Sequence, residues 1–150
     1  MFHVTFKVDG QPRGKGRPRF ARRGAFVSTY TDAKTVAYED TVRQAAQKSM
    51  GSSEPLKTAL DAFIYISFAI PLSYSKKRKE ACLNGSERHT KKPDIDNVVK
   101  AVLDGCDKVI FENDCQIVNL FVTKKYGDPH VEVLFRETEW ILCWLFLCFF

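Results

Sequence analysis

An alternating run between Ala62 and Pro71 constrains the fold of this chain more than any other segment. The run interleaves two sets of side chains, Ala62, Ile64, Ile66, Phe68 and Ile70 in one and Phe63, Tyr65, Ser67 and Ala69 in the other. Successive side chains of a strand point to opposite faces, and both sets are largely apolar. Pro71 ends the strand, because proline cannot donate to a sheet ladder. The segment therefore predicts a central strand.

Two elements precede this strand. Phe2, Val4, Phe6 and Val8 alternate with more polar neighbours up to the turn signal Asp9-Gly10, which predicts an opening strand. Thr31 or Asp32 can then cap a helix that runs to about Met50, with Gly51 as its stop signal. The apolar residues on or near one face of this helix are Val36, Val42, Ala45 and Ala46.

A second main helix and two strands follow the central strand, after a short helix and a polar loop between Ser73 and Thr90. The spacing of Val98, Val99, Val102, Leu103 and Cys106 is helical, and Pro93 prevents the helix from starting earlier than the following carboxylates. Residues 116–126 and 130–136 predict a C-terminal hairpin. This order predicts an α+β fold, a small mixed four-stranded sheet with two main helices packed on it.

Length and composition predict one domain over residues 1–139, because 150 residues with a hydrophobic fraction of 45% provide one ordinary core. Residues 140–150 form an apolar tail about half as long as a membrane span, so no membrane insertion is expected. Packing on the domain, packing on a partner and an origin foreign to the fold all remain open for this tail. Five cysteines without a C-x-x-C pair, and an N-terminus without a signal-peptide core, predict reduced thiols in a cytoplasmic protein. The scattered histidines argue against a structural zinc site.

The positive charge of the chain is concentrated in two segments. Lys and Arg exceed Asp and Glu by 23 to 18, and the pI is near 9.0, which favours a polyanionic partner. Residues 11–24 carry six basic residues among prolines and glycines, which predicts a basic loop, and residues 76–79 are all basic. The predicted DNA-binding residues are Lys15, Arg17, Arg19, Arg22, Arg23, Lys76, Lys77 and Arg78. For any one of them, a solvated surface charge is the alternative.

Asp94 and Asp96 form the most informative pair of side chains in the sequence. In an extended segment, residues two apart point to the same side, so these two carboxylates can share one ion. Two adjacent carboxylates need a cation or hydrogen-bond donors to stay ionised together, and an all-oxygen site suits Mg²⁺ or Mn²⁺. A simple helix cap is the competing interpretation, although one aspartate would suffice for that.

Three further residues bear on this site. Asp114 precedes a strand and can be an ordinary turn residue, unless the helix and the strand converge to make it a third carboxylate. Lys100 lies one helical turn after Asp96 and can reach a phosphate at the same site, or form an exposed ion pair. Asp104 and Asp107 are assigned structural ion pairs and excluded from the catalytic set.

Five motifs of the sequence belong together: KGRPRF at 15–20, YTDAKTVAYE at 30–39, SYSKKRKE at 73–80, RHTKKPDIDNVVKAVLDG at 88–105 and NDCQIV at 113–118. Together they resemble the RusA family of Holliday junction resolvases. The resemblance extends from the first strand to about Glu137, and the apolar tail has no counterpart in it. It implies a homodimer that nicks four-way junctions symmetrically with Mg²⁺ during recombination and repair, as cellular or prophage enzymes do. It also implies metal-binding aspartates at Asp94, Asp96 and Asp114 and a supporting lysine at Lys100.

Two other functions remain open at this stage. A non-catalytic nucleic-acid-binding module would need only the basic segments, with the aspartates as caps and turn residues. A general nuclease for flaps or branched DNA would use the same metal site on other substrates. Whether the site holds one or two ions also remains open, since three carboxylates can bridge a pair of metals.

Overall fold

The computed structural model describes residues 2–17, 19–24 and 26–138, without the side chains of residues 19–23 and 26–30. The predicted apolar tail at 140–150 therefore lies outside the described residues. The elements in chain order are β1 (His3–Asp9), β2 (Arg19–Arg23), β3 (Phe26–Tyr30), α1 (Ala33–Met50), β4 (Leu60–Phe68), α2 (Lys76–Leu83), α3 (Ile95–Cys106), a 3₁₀ turn (Asp114–Gln116), β5 (Ile117–Tyr126) and β6 (His130–Glu137).

Four of the strands form a mixed sheet in the order β1-β6-β4-β5. β6 is antiparallel to both β1 and β4, while β5 is parallel to β4. The central position of β4 confirms the prediction made from its alternation, and the mixed four-stranded sheet with helices packed on it confirms the α+β fold class.

The predicted C-terminal hairpin is wrong. β5 and β6 do not pair with each other, because β4 lies between them and hydrogen-bonds to both. The short connection after Tyr126 crosses the end of β4, where Gly127 donates its N–H to the carbonyl of Phe68 at 2.9 Å. Insertion of β4 is favourable because its core side chains Ile64 and Ile66 are completely buried there.

One face of the sheet packs on α1 and α3 and forms the core. Inward residues of all four strands meet Val42 and Ala46 of α1 and Val98 and Val102 of α3, all of which are completely buried. α1 extends from Ala33 to Met50 after Asp32 and ends at Gly51, whose φ is 59°, as its sequence predicts. Val36, which the sequence places near the apolar face, is exposed, and Tyr38 is buried instead.

Gly105 allows α1 and α3 to approach closely. A Cβ at this position would lie 2.7 Å from Cβ and Cγ1 of Val42 and 2.9 Å from the carbonyl oxygen of Glu39. Two of these neighbours are fixed to or part of the α1 backbone, so they could not move aside without shifting the helix. A glycine is therefore required at this crossing for steric reasons.

The other face of the sheet is not covered by any of the described residues. Tyr65 and Phe121 are about half exposed on it, and the rings of Phe63 and Phe121 stack there with centroids 4.8 Å apart. The side chains of Asn119, Arg136 and Thr138 all donate hydrogen bonds to the carboxylate of Asp61 on the same face. No helix in the described part of the chain is both long and apolar enough to cross a bilayer.

The first basic segment contains regular structure that the sequence analysis does not predict. β2 and β3 pair as an antiparallel hairpin, in which Arg19 lies opposite Tyr30 and Arg23 opposite Phe26. The loop prediction is therefore wrong from Arg19 onward, because Gly24 has a φ of 63° and provides a turn between two strands. Residues 11–17 remain an irregular loop, as expected.

Candidate active site

The Asp94 segment and the irregular basic loop form the two walls of one open cleft. This cleft has a volume of about 570 Å³ and is lined by Gly14, Lys15, Arg17, Lys92, Pro93, Asp94 and Asn97. A second hollow of about 320 Å³ adjoins it and shares Gly14 and Pro93. The fold therefore brings the carboxylate motif and part of the predicted DNA-binding arm to the same place.

Close backbone contacts connect these two walls. A Cβ on Gly14 would lie 2.9 Å from Cβ of Pro93 and 3.1 Å from Cβ of Asn97, so this approach requires glycine. The next residue, Lys15, donates its backbone N–H to the carbonyl of Asn97 at 2.8 Å. One residue further, Gly16 donates its N–H to Oγ1 of Thr35 on α1 at 3.3 Å. The loop is thus bonded to the first turns of both main helices.

Asp94 and Asp96 lie at the N-terminus of α3. Asp94 occupies the N-cap position with extended backbone, and Asp96 belongs to the first turn. The sequence-based expectation of an extended segment through both residues is therefore wrong, because the helix already begins at Ile95. The carboxylate of Asp94 makes no capping hydrogen bond within the described structure, and both aspartates are exposed. Their oxygens face solvent at the positive end of a helix, where anions are stabilised.

Asp114 lies at the opposite end of α3 and β5 from this pair. It begins the 3₁₀ turn that leads into β5, and its side chain is exposed. Lys124 on β5 bonds to the carbonyl of Pro93 beside Asp94, whereas Asp114 precedes Ile117 at the other end of this strand. At about 3.3 Å per residue, the length of β5 from Ile117 to Lys124 places Asp114 roughly 20 Å from Asp94. Among residues 2–17, 19–24 and 26–138, no three His, Cys, Asp or Glu side chains form a group that could hold a metal. The convergence that would bring Asp114 to the other two aspartates does not occur within one chain.

The turn around Asp114 is built by its neighbours. Oδ1 of Asn113 accepts the N–H of Cys115 at 3.0 Å, while Oε1 of Gln116 accepts the N–H groups of Glu112 and Asn113, both at 2.9 Å. The amide of Gln116 also donates to the carbonyls of Leu56 and Thr58, which precede β4. The capping role is therefore held by Asn113 and Gln116, so the Asp114 carboxylate is not needed for it.

Lys100 and Asp104 lie on α3 after Asp96. Lys100 is exposed one turn beyond Asp96, in the position that the sequence predicts. Asp104 forms an ion pair, as expected, but its partner is Lys15 of the basic loop. Lys15 also approaches Glu39 at 3.3 Å. Burial lowers the pKa of Lys15, but the hydrogen bonds and charges of Asp104 and Glu39 outweigh it and raise that pKa above its ordinary value.

The predicted DNA-binding residues fall into three groups. Lys15 and Arg78 are engaged within the chain, since Arg78 pairs with Glu87 at 2.7 Å and stacks on Tyr74 at 3.7 Å. Arg17 lines the cleft, and Lys76 and Lys77 are exposed with no ion pair to any described residue. The side chains of Arg19, Arg22 and Arg23 lie outside the described structure, although their backbone forms β2.

Lys124 lies near the site and was not predicted from the sequence. It lies on β5 opposite the buried Ile66, and its Nζ donates to the carbonyls of Lys91 and Pro93, both at 2.6 Å. Burial lowers the pKa of Lys124, and the charge of Asp94 partly opposes that change. A sequence signal was available, because Lys124 shares the inward parity of Val122 and Tyr126, where a lysine is unusual.

His89 lies beside the same segment. Its ring stacks on Phe68 with centroids 4.2 Å apart and contacts Tyr126 at 4.7 Å. Burial, followed by the charge of Lys124, lowers the pKa of His89 below its usual 6.5. Nδ1 of His89 is buried and has no hydrogen-bond partner within the described residues. The neutral ring therefore serves as a packing element between the polar loop and the sheet.

Comparison with known proteins agrees with the sequence motifs. Residues 9–136 match the protein family described as "Endodeoxyribonuclease RusA". The chain is also 37% identical over 140 residues to "Uncharacterized protein YqaN" of Bacillus subtilis (strain 168). This similarity covers 91% of the present chain and 97% of the relative.

Proposed function

This chain belongs to the RusA family of endodeoxyribonucleases, which are Holliday junction resolvases, and we propose that it cuts four-way junctions by paired symmetric nicks. The proposal includes Mg²⁺ as the cofactor, with Mn²⁺ as a substitute, a homodimer as the active form and a cytoplasmic role in recombination and repair. The observation that carries the proposal is a pair of carboxylates without an ion pair or a capping role among the described residues: Asp94, which lines the cleft shared with the basic loop, and Asp96 in the first turn of α3.

The chemistry of these residues fits a divalent cation that prefers oxygen ligands. Asp94 and Asp96 offer oxygen ligands only, and within the described residues neither carboxylate is occupied by an ion pair or a helix cap. When bound, Mg²⁺ would make a water nucleophilic near neutral pH and stabilise the charge that develops on the leaving oxygen. Arg17, which lines the cleft, and Lys100, which is exposed on the next turn of α3, would hold the backbone phosphates beside the carboxylates.

A homodimer would explain how Asp114 can join a site from which it is so distant in its own chain. β5 is an edge strand of the described sheet, and Val118, Leu120 and Phe121 on it are 55%, 47% and 53% exposed. An edge with unpaired backbone groups and apolar side chains is suited to pairing with another strand. Antiparallel pairing of two β5 edges about a twofold axis would bring the partner subunit's Asp114 to the end of β5 that lies beside Asp94.

The same arrangement accounts for paired nicks. A closed twofold dimer has two equivalent sites, and a four-way junction presents two equivalent strands. Each site would combine Asp94 and Asp96 of one chain with the partner subunit's Asp114. Dimer formation would then be a condition for metal binding by three carboxylates and therefore for cleavage.

The proposal is tested by a cleavage panel on a four-way junction, a flap and plain duplex, each with and without Mg²⁺. We expect Mg²⁺-dependent nicking of the junction above the other substrates. Since even outer-shell partners of metal ligands contribute roughly 10- to 100-fold, Asp96→Asn should lower nicking by more than about 100-fold while leaving junction binding intact. Unchanged cleavage by Asp96→Asn would refute this site.

The panel also separates the two competing functions. A nucleic-acid-binding module would bind the junction but cut none of the three substrates. A general nuclease for branched DNA would cut the flap as well as it cuts the junction. Either result would refute the proposed selectivity for cutting four-way junctions. Only the first would also refute the catalytic role of the aspartates.

A further inference from the structure

The segment that presents Asp94 is attached to the sheet through Lys124. The side chain of Lys124 extends from β5 on the helix-covered face and contacts two backbone carbonyls, those of Lys91 and Pro93. Both contacts are 2.6 Å long, which is short for a hydrogen bond from a charged donor. The two carbonyls belong to the residues on either side of Lys92, and the second of these residues, Pro93, directly precedes Asp94.

This contact differs from the other contacts that hold the segment. The ring of His89 stacks on Phe68, but His89 is five residues before Asp94. On the side of the basic loop, Gly14 packs against Pro93 without a hydrogen bond to its carbonyl. Lys124 instead reaches Pro93, the residue adjacent to the N-cap of α3. It therefore fixes the peptide from which Asp94 extends.

A lysine suits this task because of its donor geometry. An ammonium group has three N–H donors and no acceptor, so one side chain can satisfy two carbonyls and keep one donor for a third group. Asp94 is near enough for its charge to act on Lys124. A positive charge there also counteracts the repulsion between the Asp94 and Asp96 carboxylates before a cation binds.

The structure argues against a role for Lys124 as a simple phosphate contact. Lys124 is partly buried and its ammonium group is bonded to two carbonyls, whereas the next residue, Lys125, is exposed on the opposite face of β5. A lysine that neutralises DNA phosphates requires an accessible ammonium group, as Lys125 has.

We infer that Lys124 is a positioning residue for the metal-binding aspartates, holding the Lys91–Pro93 backbone so that Asp94 and Asp96 are presented in a binding geometry. The inference rests on the proposed function, since it assumes that these two carboxylates bind a divalent cation. Outer-shell residues of this kind are needed because metal ligands must be oriented before the ion arrives.

The test compares three variants of the full chain. Lys124→Met removes the ammonium group and keeps most of the unbranched side chain. Lys125→Met removes the same charge from the exposed face, and Lys124→Arg restores the donors. Mn²⁺ affinity is measured by electron paramagnetic resonance without DNA, and amide hydrogen exchange is followed over residues 91–96. Junction affinity, KM and kcat are measured separately. If Lys124→Met does not fold, Lys124→Gln replaces it.

We expect Lys124→Met to weaken Mn²⁺ binding and to lower kcat roughly 10- to 100-fold, with KM and junction affinity close to those of Lys125→Met. Exchange over residues 91–96 should accelerate in Lys124→Met alone, and Lys124→Arg should recover most of the Mn²⁺ affinity. Equal Mn²⁺ affinity and exchange in Lys124→Met and Lys125→Met would overturn the inference. Weaker junction binding with intact Mn²⁺ affinity would overturn it in favour of a phosphate contact.

The outcome for Lys124 is independent of whether the wild-type chain cuts junctions. If the wild-type chain cuts none of the substrates, the proposed function fails. A loss of Mn²⁺ affinity in Lys124→Met, absent in Lys125→Met, would then still support the positioning role.

Discussion

Mixing two inactive variants should restore activity if each catalytic site is shared between chains. The variants are Asp96→Asn and Asp114→Asn, each inactive as a homodimer under the proposed function. Mg²⁺ binds its ligands at about 2.1 Å, so the roughly 20 Å between Asp94 and Asp114 of one chain cannot be bridged by one metal site. In a mixed dimer, one site would carry both lesions and the other would carry neither.

The size of the recovery follows from this count. If subunits reassort at random from an equal mixture, half of the dimers are mixed and each has one intact site of two, so nicking should reach about a quarter of the wild-type rate. The product should also change. A dimer with one active site nicks one strand, so nicked junctions should accumulate while resolved duplexes remain scarce.

The assay requires proof that subunits exchange. Two different affinity tags on the variants, co-purified after mixing, provide that proof. A mixture of Asp94→Asn with Asp96→Asn is the matched control, because both lesions lie in the same half of the site and every mixed dimer keeps one lesion per site. No recovery from Asp96→Asn with Asp114→Asn, despite demonstrated exchange, would refute the shared site.

Three further predictions concern stability and binding. Gly105→Ala should lower the free energy of unfolding by about 1–3 kcal/mol, because the added methyl group would crowd α1. Urea denaturation measures this change. Alanine normally stabilises a helix interior relative to glycine, so a stabilised variant would contradict the close contact between the helices. Lys77→Met should reduce the salt dependence of junction binding by about one counterion without changing stability. Arg78→Met should instead lower the midpoint of thermal unfolding, because Arg78 pairs with Glu87 and stacks on Tyr74. The reverse pattern would contradict the assignment of Lys77 to DNA and of Arg78 to the fold. The lowered pKa of His89 means that the unfolded chain takes up its proton first, so the stability held above pH 6.5 should decrease as the pH falls towards the folded-state pKa. His89→Gln should reduce that decrease and His3→Gln should not, in thermal unfolding measured between pH 7 and 5; equal pH profiles would refute the assignment.

Local patterns in the sequence were sufficient for the elements that bury a continuous apolar face. β4 is predicted as a central strand because both of its faces carry apolar residues, and it does lie between two strands. α1 is predicted between Asp32 and Gly51 because its stop signal and apolar spacing agree. The start of α3 follows from the restriction that Pro93 imposes on the preceding residues.

Long-range pairing was not accessible from the same patterns. The short segment after Tyr126 has the composition of a hairpin turn, and only the burial of β4 between β5 and β6 shows that it is a crossing. The hairpin of β2 and β3 was hidden by the prolines and basic residues around it. In both cases the structure depends on the pairing of strands whose own sequences do not specify which strand is the partner.

The candidate site was predicted in part for the same reason. Asp94 and Asp96 are adjacent in sequence, so their proximity needed no knowledge of the fold. The position of Asp114 depends on the direction in which α3 runs relative to β5, which the sequence does not give. The ion pair between Lys15 and Asp104 was inaccessible for the same reason, since it joins the basic loop to the far end of α3.

The contact between the basic loop and the start of α3 has a consequence for how this protein could be altered. Gly14 fits against Pro93 and Asn97, and the backbone of Lys15 is bonded to that of Asn97. Residues 11–17 are therefore not an interchangeable module that could be exchanged with a loop from another nuclease to change the choice of DNA. A chimera that replaces this loop would also have to replace residues 93–97, so DNA contacts and metal ligands would be transferred together.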